Sequence, residues 1–210
     1  MKFDLISMKI RSKSIMKKFS PKVYVIALFV AVIDILGLIL GNGLIGLNLR
    51  LFFVCYFIAV ILREIIEIGY IKYAIIAARE KEGSFKDLFS GFTRNMVKNL
   101  ISVLLKQIII WIGLIFFIIP GVIAFYRFRF LYFDLNTENK SLGTCIKESV
   151  ELTKGHCIEL FKIDLSFIGW YLLNGITLGI ASIYVRPLTT ITYAEYYDYL
   201  KAQQILAKRQ

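Results

Sequence analysis

LISVLLKQIIIWIGLIFFIIPGVIAFYRFRFLYF, residues 100–133, is an apolar run long enough to set the architecture of the chain. From 100 to 119 the only strongly polar side chains are Ser102, Lys106 and Gln107. A helix of that length reaches about 30 Å, the thickness of a bilayer's hydrocarbon. Pro120 then withholds a backbone donor, and Gly121 accepts angles that a Cβ forbids. The stretch therefore reads as two apolar helices folded back at Pro120-Gly121, the second interrupted by Arg127 and Arg129. Hydrocarbon offers backbone groups no partner, so both arms are expected to be helical.

The rest of the chain has the same character. It is 58% hydrophobic and 15% aromatic over 210 residues, with a mean hydropathy of +0.67. Soluble domains hold nearer half their residues apolar, and disperse them. Nothing Pro-, Gly- or Ser-rich divides the chain, so 1–210 reads as one membrane domain. It comprises a basic segment (1–22), a helical bundle (23–200) and a tail (201–210). The net charge of +11 sits beside apolar runs rather than in a stripe, which speaks against nucleic acid and for anionic lipid headgroups. Cys55, Cys145 and Cys157 are scattered and odd in number, so no disulfide framework or metal spacing follows.

In order, residues 1–22 carry seven Lys/Arg against one Asp, ahead of an apolar first span at 23–40. No small-residue cleavage site follows, so the span is expected to be uncleaved. GNGLIG (41–46) is the outer turn. Residues 51–78 form a second span, long enough to tilt or protrude, with Arg63 and Glu67 spaced to pair on one face. Ser84 and Asp87 have capping-box spacing, and Phe85, Leu88, Phe89, Phe92 and Met96 form an apolar stripe suited to the headgroup plane. Ser141 caps a further amphipathic helix that Gly155 terminates. A fifth span at 158–183 and a final apolar-aromatic helix at 188–200 complete the bundle.

The expected fold is therefore all-α: a polytopic helical membrane bundle of about six transmembrane helices with short amphipathic cytoplasmic helices. Four spans plus two re-entrant helices is the alternative, because 122–134 and 188–200 are short and charged. The proposed outer turns hold only Arg50 and Arg186 among the 26 Lys/Arg. That asymmetry places the chain in the bacterial cytoplasmic membrane with both termini inside. A faint threefold succession runs through it, a basic amphipathic stretch and then an apolar hairpin, entering at Met1, Ser84 and Ser141.

Four motifs carry a resemblance: SFKDLFSGF (84–92), FFIIPGVIAFYRFR (116–129), ESVELTKGHCIELFKIDLSFIGW (148–170) and the TxxYAEYYDYL pattern (190–200). Together they resemble a family of uncharacterised bacterial multi-pass membrane proteins, a domain of unknown function, over Phe85 to Leu200. Thr153 stands where that family usually has Met, and Cys157-Ile158 where it usually has Lys-Trp. The resemblance implies a multi-pass membrane location and no established activity.

Ionisable groups within spans are costly and usually face a protein interior, a cavity or a partner. Asp34, Arg63, Glu67, Arg127, Arg129, Asp164 and Glu195 meet that description, and Asp34, Arg63, Glu67, Arg127 and Asp164 form the candidate intramembrane cluster. The competing reading pairs Arg63 with Glu67 locally, sends Arg127 and Arg129 to the interface, and makes Asp164 a cap or a partner of Arg127. His156, the one histidine, reads as an interfacial cap or a headgroup contact rather than a catalyst. HExxH, a phosphate loop, a G-x-S-x-G elbow and a Cys pair are all missing, so no catalytic, cofactor or metal residue is assigned. Gly175 and Gly179 have the spacing of a small-residue helix face. The expectation is a non-enzymatic binding or assembly component, without a cofactor, with anionic lipids and a possible homo-oligomer or membrane partner. The alternative is a transporter or an export or immunity-type protein handling a lipid-like or amphipathic solute. Convergence of the charged groups on one water-accessible cavity would favour transport or catalysis, whereas local pairing or reach to the interfaces would favour a scaffold.

Overall fold

A computed structural model describes residues 4–45, 49–93, 95–116, 118–137 and 140–207. The described residues are helical, without strands, in the order α1 (Leu5–Lys18), α2 (Lys22–Ile45), α3 (Leu49–Ala78), a 3₁₀ helix (Phe85–Phe89), α4 (Ser90–Thr93), α5 (Met96–Phe116), α6 (Ile118–Arg127), α7 (Leu131–Thr137), α8 (Leu142–Thr153), α9 (Cys157–Ser166), α10 (Ile168–Ile176) and α11 (Ser182–Ala207). By length and composition, Met96–Gly113 is the one described helix that suffices alone to cross a bilayer. Leu5–Lys18 and Lys22–Leu36 pass together, bent by 97°.

Helices α3 and α11 form the axis. Both pack against α2 and α1, and α3 also receives the 3₁₀ helix, α4, α5 and α7. Glycine makes two of these approaches possible. A Cβ on Gly69 would lie 1.9 Å from the Leu88 carbonyl oxygen, and one on Gly91 would lie 2.2 Å from that of Ile65. Where α7 meets α11, the rings of Phe130, Phe133, Tyr196 and Tyr197 interlock in the core. Polar ties fasten one end of the bundle. Lys18 pairs with Glu80, Lys22 with Glu82 and Arg79 with Asp198, while Lys201 bridges Asp134 and Glu148 at 2.9 Å each. The start of α2, the end of α3 and the C-terminal half of α11 therefore share that end.

Several boundaries differ from the sequence reading. Helix α2 continues to Ile45, through most of the expected outer turn, because its glycines cost only about 1 kcal/mol each in a helix. The rest of that turn, Gly46, lies outside the described residues. The α5–α6 fold-back does not sit at Pro120-Gly121. Pro120 is the third residue of α6, where a backbone N–H has no acceptor within the helix and a proline costs nothing. Helix α6 then stops at Arg127, about 15 Å long, so 122–134 is not one spanning helix. The capping box at Ser84 and Asp87 is present, with Ser84 N–H donating to Asp87 at 2.8 Å. The stripe beyond it is not one helix: Leu88 is buried on α3, Phe85 and Phe89 stay exposed, and Asn95 turns the chain at φ +55° before α5 starts.

Ser141 caps α8, and Gly155, at φ +86°, follows it. The expected fifth span is broken. Helix α9 ends at Ser166, the Phe167 N–H turning back to the Asp164 carbonyl, and α10 ends before a turn holding Leu178 at φ +49° and Gly179 at φ +93°. Gly175 and Gly179 thus share no helix face. The final helix starts at Ser182 rather than after Arg186 and runs through Pro187.

A belt of apolar side chains faces outward. It includes Val25 and Leu28 on α2, Phe53 and Phe57 on α3, Val97 and Trp111 on α5, and Leu172 and Ile176 on α10. Single exposed apolar residues are ordinary; here they recur on α2, α3, α5 and α10 alike.

Candidate functional site

Four helices bring charge to a single interhelical cavity of about 440 Å³. Asp34 comes from the middle of α2, and Arg63, Glu64 and Glu67 from successive turns of α3. Lys106 comes from the centre of α5, and Arg186 from the second turn of α11. The segment following α6 adds Arg129, and α7 adds Tyr132. From α10 and α11 come Tyr171, Asn174 and Tyr193.

One wall is a closed lattice. The Arg186 guanidinium donates to Asp34 Oδ2 and Glu67 Oε2, both at 2.5 Å, and lies 5.4 Å from the Tyr70 ring centre. Arg63 Nε donates to Asp34 Oδ1 at 2.8 Å. Arg63 and Glu67, expected to pair, instead reach partners on α2 and α11. The i, i+4 spacing allows a pair but does not require one when carboxylate and guanidinium are available across the bundle.

The other wall is more open. Glu64 Oε2 accepts the Tyr132 hydroxyl at 2.6 Å and the Lys106 ammonium at 3.3 Å, and that ammonium sits 4.0 Å from the Tyr132 ring centre. Arg129 stacks on Tyr193, with Cζ 3.9 Å from the ring centre, and its closest carboxylate oxygen is Asp164 Oδ1 at 3.6 Å. Asp164 Oδ1 already accepts the Tyr193 hydroxyl at 2.6 Å. The Asn174 Oδ1, also in the lining, is buried without a hydrogen-bond partner.

Of the five candidate cluster residues, Asp34, Arg63 and Glu67 line the cavity, and Asp164 stands behind it through Arg129 and Tyr193. Arg127 does not join them. Its side chain donates to the Val150 carbonyl at 2.9 Å and its own carbonyl accepts Ser149 Oγ, so it ties α6 to α8. Arg129, on the wider list, lines the cavity, and it, not Arg127, is the partner of Asp164. Glu195 lies 3.5 Å from Arg11, at the α1–α11 contact. His156 precedes α9 but makes no side-chain cap; Nδ1 sits 2.9 Å from Glu159.

Glu64, Lys106, Asn174 and Arg186 were not among the candidates. Lys106 was detectable, as a lone cation in the middle of an apolar helix. Arg186 was hidden by Pro187, which read as a helix start. Among the described residues, no group of three or more His, Cys, Asp or Glu side chains is placed to hold a metal ion.

Residues 135–204 match the family described as "Protein of unknown function (DUF975)". The matched region runs from the end of α7 into α11 and carries Asp164, Asn174, Arg186 and Tyr193. The motifs at 84–92 and 116–129 lie outside it, as do Asp34, Arg63, Glu64, Glu67, Lys106 and Arg129. No activity comes with this uncharacterised family. No curated protein and no solved structure matches the chain.

Proposed function

We propose that this chain is a polytopic protein of the bacterial cytoplasmic membrane that binds, without chemical conversion, a small polar solute or amphiphile headgroup in the cavity between α2, α3, α5 and α11. The observation that carries this reading is the convergence of seven charged side chains on one cavity from segments far apart in sequence. Burying charge is expensive even when it is paired, and apolar residues of similar volume would serve packing alone as well or better. A charged cavity of this size, within the roughly 300–1,000 Å³ common for ligand sites, fits recognition better than scaffolding.

The membrane part of the reading rests on the outward apolar belt, the apolar length of α5, and the basic end fastened by Lys18, Lys22, Arg79 and Lys201. That end would face the cytoplasm and its anionic lipids. In this orientation α1, bent sharply from α2, lies along the headgroups. Transport of the bound solute is the natural extension. Assembly through a small-residue helix face loses its basis, because Gly175 lies in α10 and Gly179 in the turn that follows it.

Native mass spectrometry of protein released from mild detergent, with lipids and solutes left bound, tests the reading. The expected result is a stoichiometric adduct on the monomer that Arg186→Gln weakens. A bare homo-oligomer, or protein that carries nothing, overturns it.

A further inference from the structure

We infer that the cavity's ligand is anionic, and that its phosphate or carboxylate group seats between Arg129 and Lys106; this rests on the binding reading above. The argument is a census of donors and acceptors. Each carboxylate in the lining already has a cationic partner. Asp34 accepts from two arginines, one on each oxygen. Glu67 Oε2 accepts from Arg186, and Glu64 Oε2 from Tyr132 and Lys106. Glu64 and Glu67 each keep a second oxygen, but their charges are already met by Lys106 and Arg186, and the lining holds four cations (Arg63, Lys106, Arg129 and Arg186) against three carboxylates, so a further cation gains little.

The cations on the open wall have donors to spare. Among the described residues the Arg129 guanidinium makes no hydrogen bond within 3.5 Å. Its faces are occupied by Tyr193 and, at 5.3 Å, Phe125, while Asp164 stands beyond hydrogen-bonding reach. Stacking of this kind covers the faces of the guanidinium and leaves its N–H edge available, the edge that matches two oxygens of a carboxylate or phosphate. Lys106 has three donors and one long acceptor, at 3.3 Å. The Asn174 Oδ1 in the same lining is an unfilled acceptor, so it offers nothing to an anion's bare oxygens and would take a hydroxyl of the ligand instead. Phe125, Ile71 and Val185 supply apolar surface beside it, suited to the first carbons of an amphiphile.

The test uses purified, delipidated full-length protein in a non-ionic detergent. Three probes share one chain length: dodecyl phosphate, dodecyltrimethylammonium and dodecyl maltoside. Inorganic phosphate is the competitor. Retention is read by native mass spectrometry and thermal stabilisation. Dodecyl phosphate is expected to bind at one equivalent, and Arg129→Gln and Lys106→Gln each to weaken it roughly tenfold or more. Displacement by inorganic phosphate alone would identify a free anion as the ligand. Resistance to it would identify the headgroup of an amphiphile, and both results support an anion site. If Arg129→Gln fails to fold, the comparison of probes on the unaltered protein still decides. Equal retention of the trimethylammonium probe, or binding of the phosphate probe that neither variant changes, overturns the anion assignment while leaving the cavity a binding site. Retention of none of the probes, together with no co-purified adduct, removes the binding reading itself.

Discussion

Arg186 holds the cavity's closed wall together, since its guanidinium satisfies Asp34 and Glu67 at once and bridges α11 to both α2 and α3. Asp87 plays a comparable joining role at the basic end, and its protonation gives a measurable signature. Burial works to raise the Asp87 carboxyl, but hydrogen bonds from Lys72 and the Ser84 N–H, with the Lys72 charge at 2.7 Å, outweigh it and hold Asp87 below its ordinary 3.8. A carboxylate depressed on folding contributes stability that is fully present above the unfolded value, and that is lost as pH falls through the folded one. Asp87→Asn is therefore expected to cost about 1 kcal/mol near neutral pH, the scale of a lost cap, and to cost progressively less below about pH 4. Thermal unfolding of both proteins across pH 7 to pH 3 checks it, and a difference that stays constant would refute the assignment. This box was legible from Ser84 and Asp87 alone because capping is local. The partner Lys72, from the preceding helix, was not.

At the scale of elements, the α5–α6 hairpin depends on a close backbone approach. A Cβ on Gly113 would lie 2.8 Å from the Gly121 Cα, which belongs to backbone and cannot swing away. Gly113→Ala is expected to destabilise by about 1–3 kcal/mol, as overpacking does. Gly143→Ala, in α8 where nothing lies within 4 Å of the added atom, is expected to stabilise by about 0.5–1 kcal/mol through backbone entropy alone. Unfolding temperatures in one detergent compare the two, and a loss at both positions would mean that the hairpin contact has no special part. The hairpin's existence was readable in the apolar run of 100–133, but its corner was not, since Pro120 is as acceptable in the first turn of α6 as at a turn. The same ambiguity moved the start of α11 past Pro187. Breaks such as Phe167 and 177–181 leave little mark in composition, because the flanking residues are as apolar as a continuous span would be. Charge clustering was half legible for a related reason. Composition showed which ionisable groups sit in apolar stretches, while the choice among partners was made across helices, so Arg63 found Asp34 and Glu67 found Arg186.

For the molecule as a whole, the element order follows one succession: α1 leads into α2 and α3, the 3₁₀ helix and α4 into α5 and α6, and α8 into α9 and α10. Each lead element sits ahead of an apolar helix pair, an arrangement that puts surface elements at one end and apolar helices beyond them. The ion pairs Lys18–Glu80 and Arg79–Asp198 fix α1 and the C-terminal half of α11 near that end, whereas Arg50, at the start of the roughly 45 Å α3, belongs to the other. A bilayer across the apolar belt would separate these positions. With Cys55, Cys145 and Cys157 replaced by serine, single cysteines at Ser14 and Ala202 are expected to resist an impermeant maleimide in intact bacterial cells and to react once the membrane is opened. A cysteine at Arg50 is expected to react in intact cells. Ser14 and Ala202 are both exposed, so burial within the protein would not mimic protection. Labelling at Ser14 and Ala202 but not Arg50 in intact cells would invert the orientation. Recovery of the protein in the soluble fraction, with all three positions equally reactive, would overturn the membrane reading, and the apolar belt would then have to be covered by protein rather than lipid.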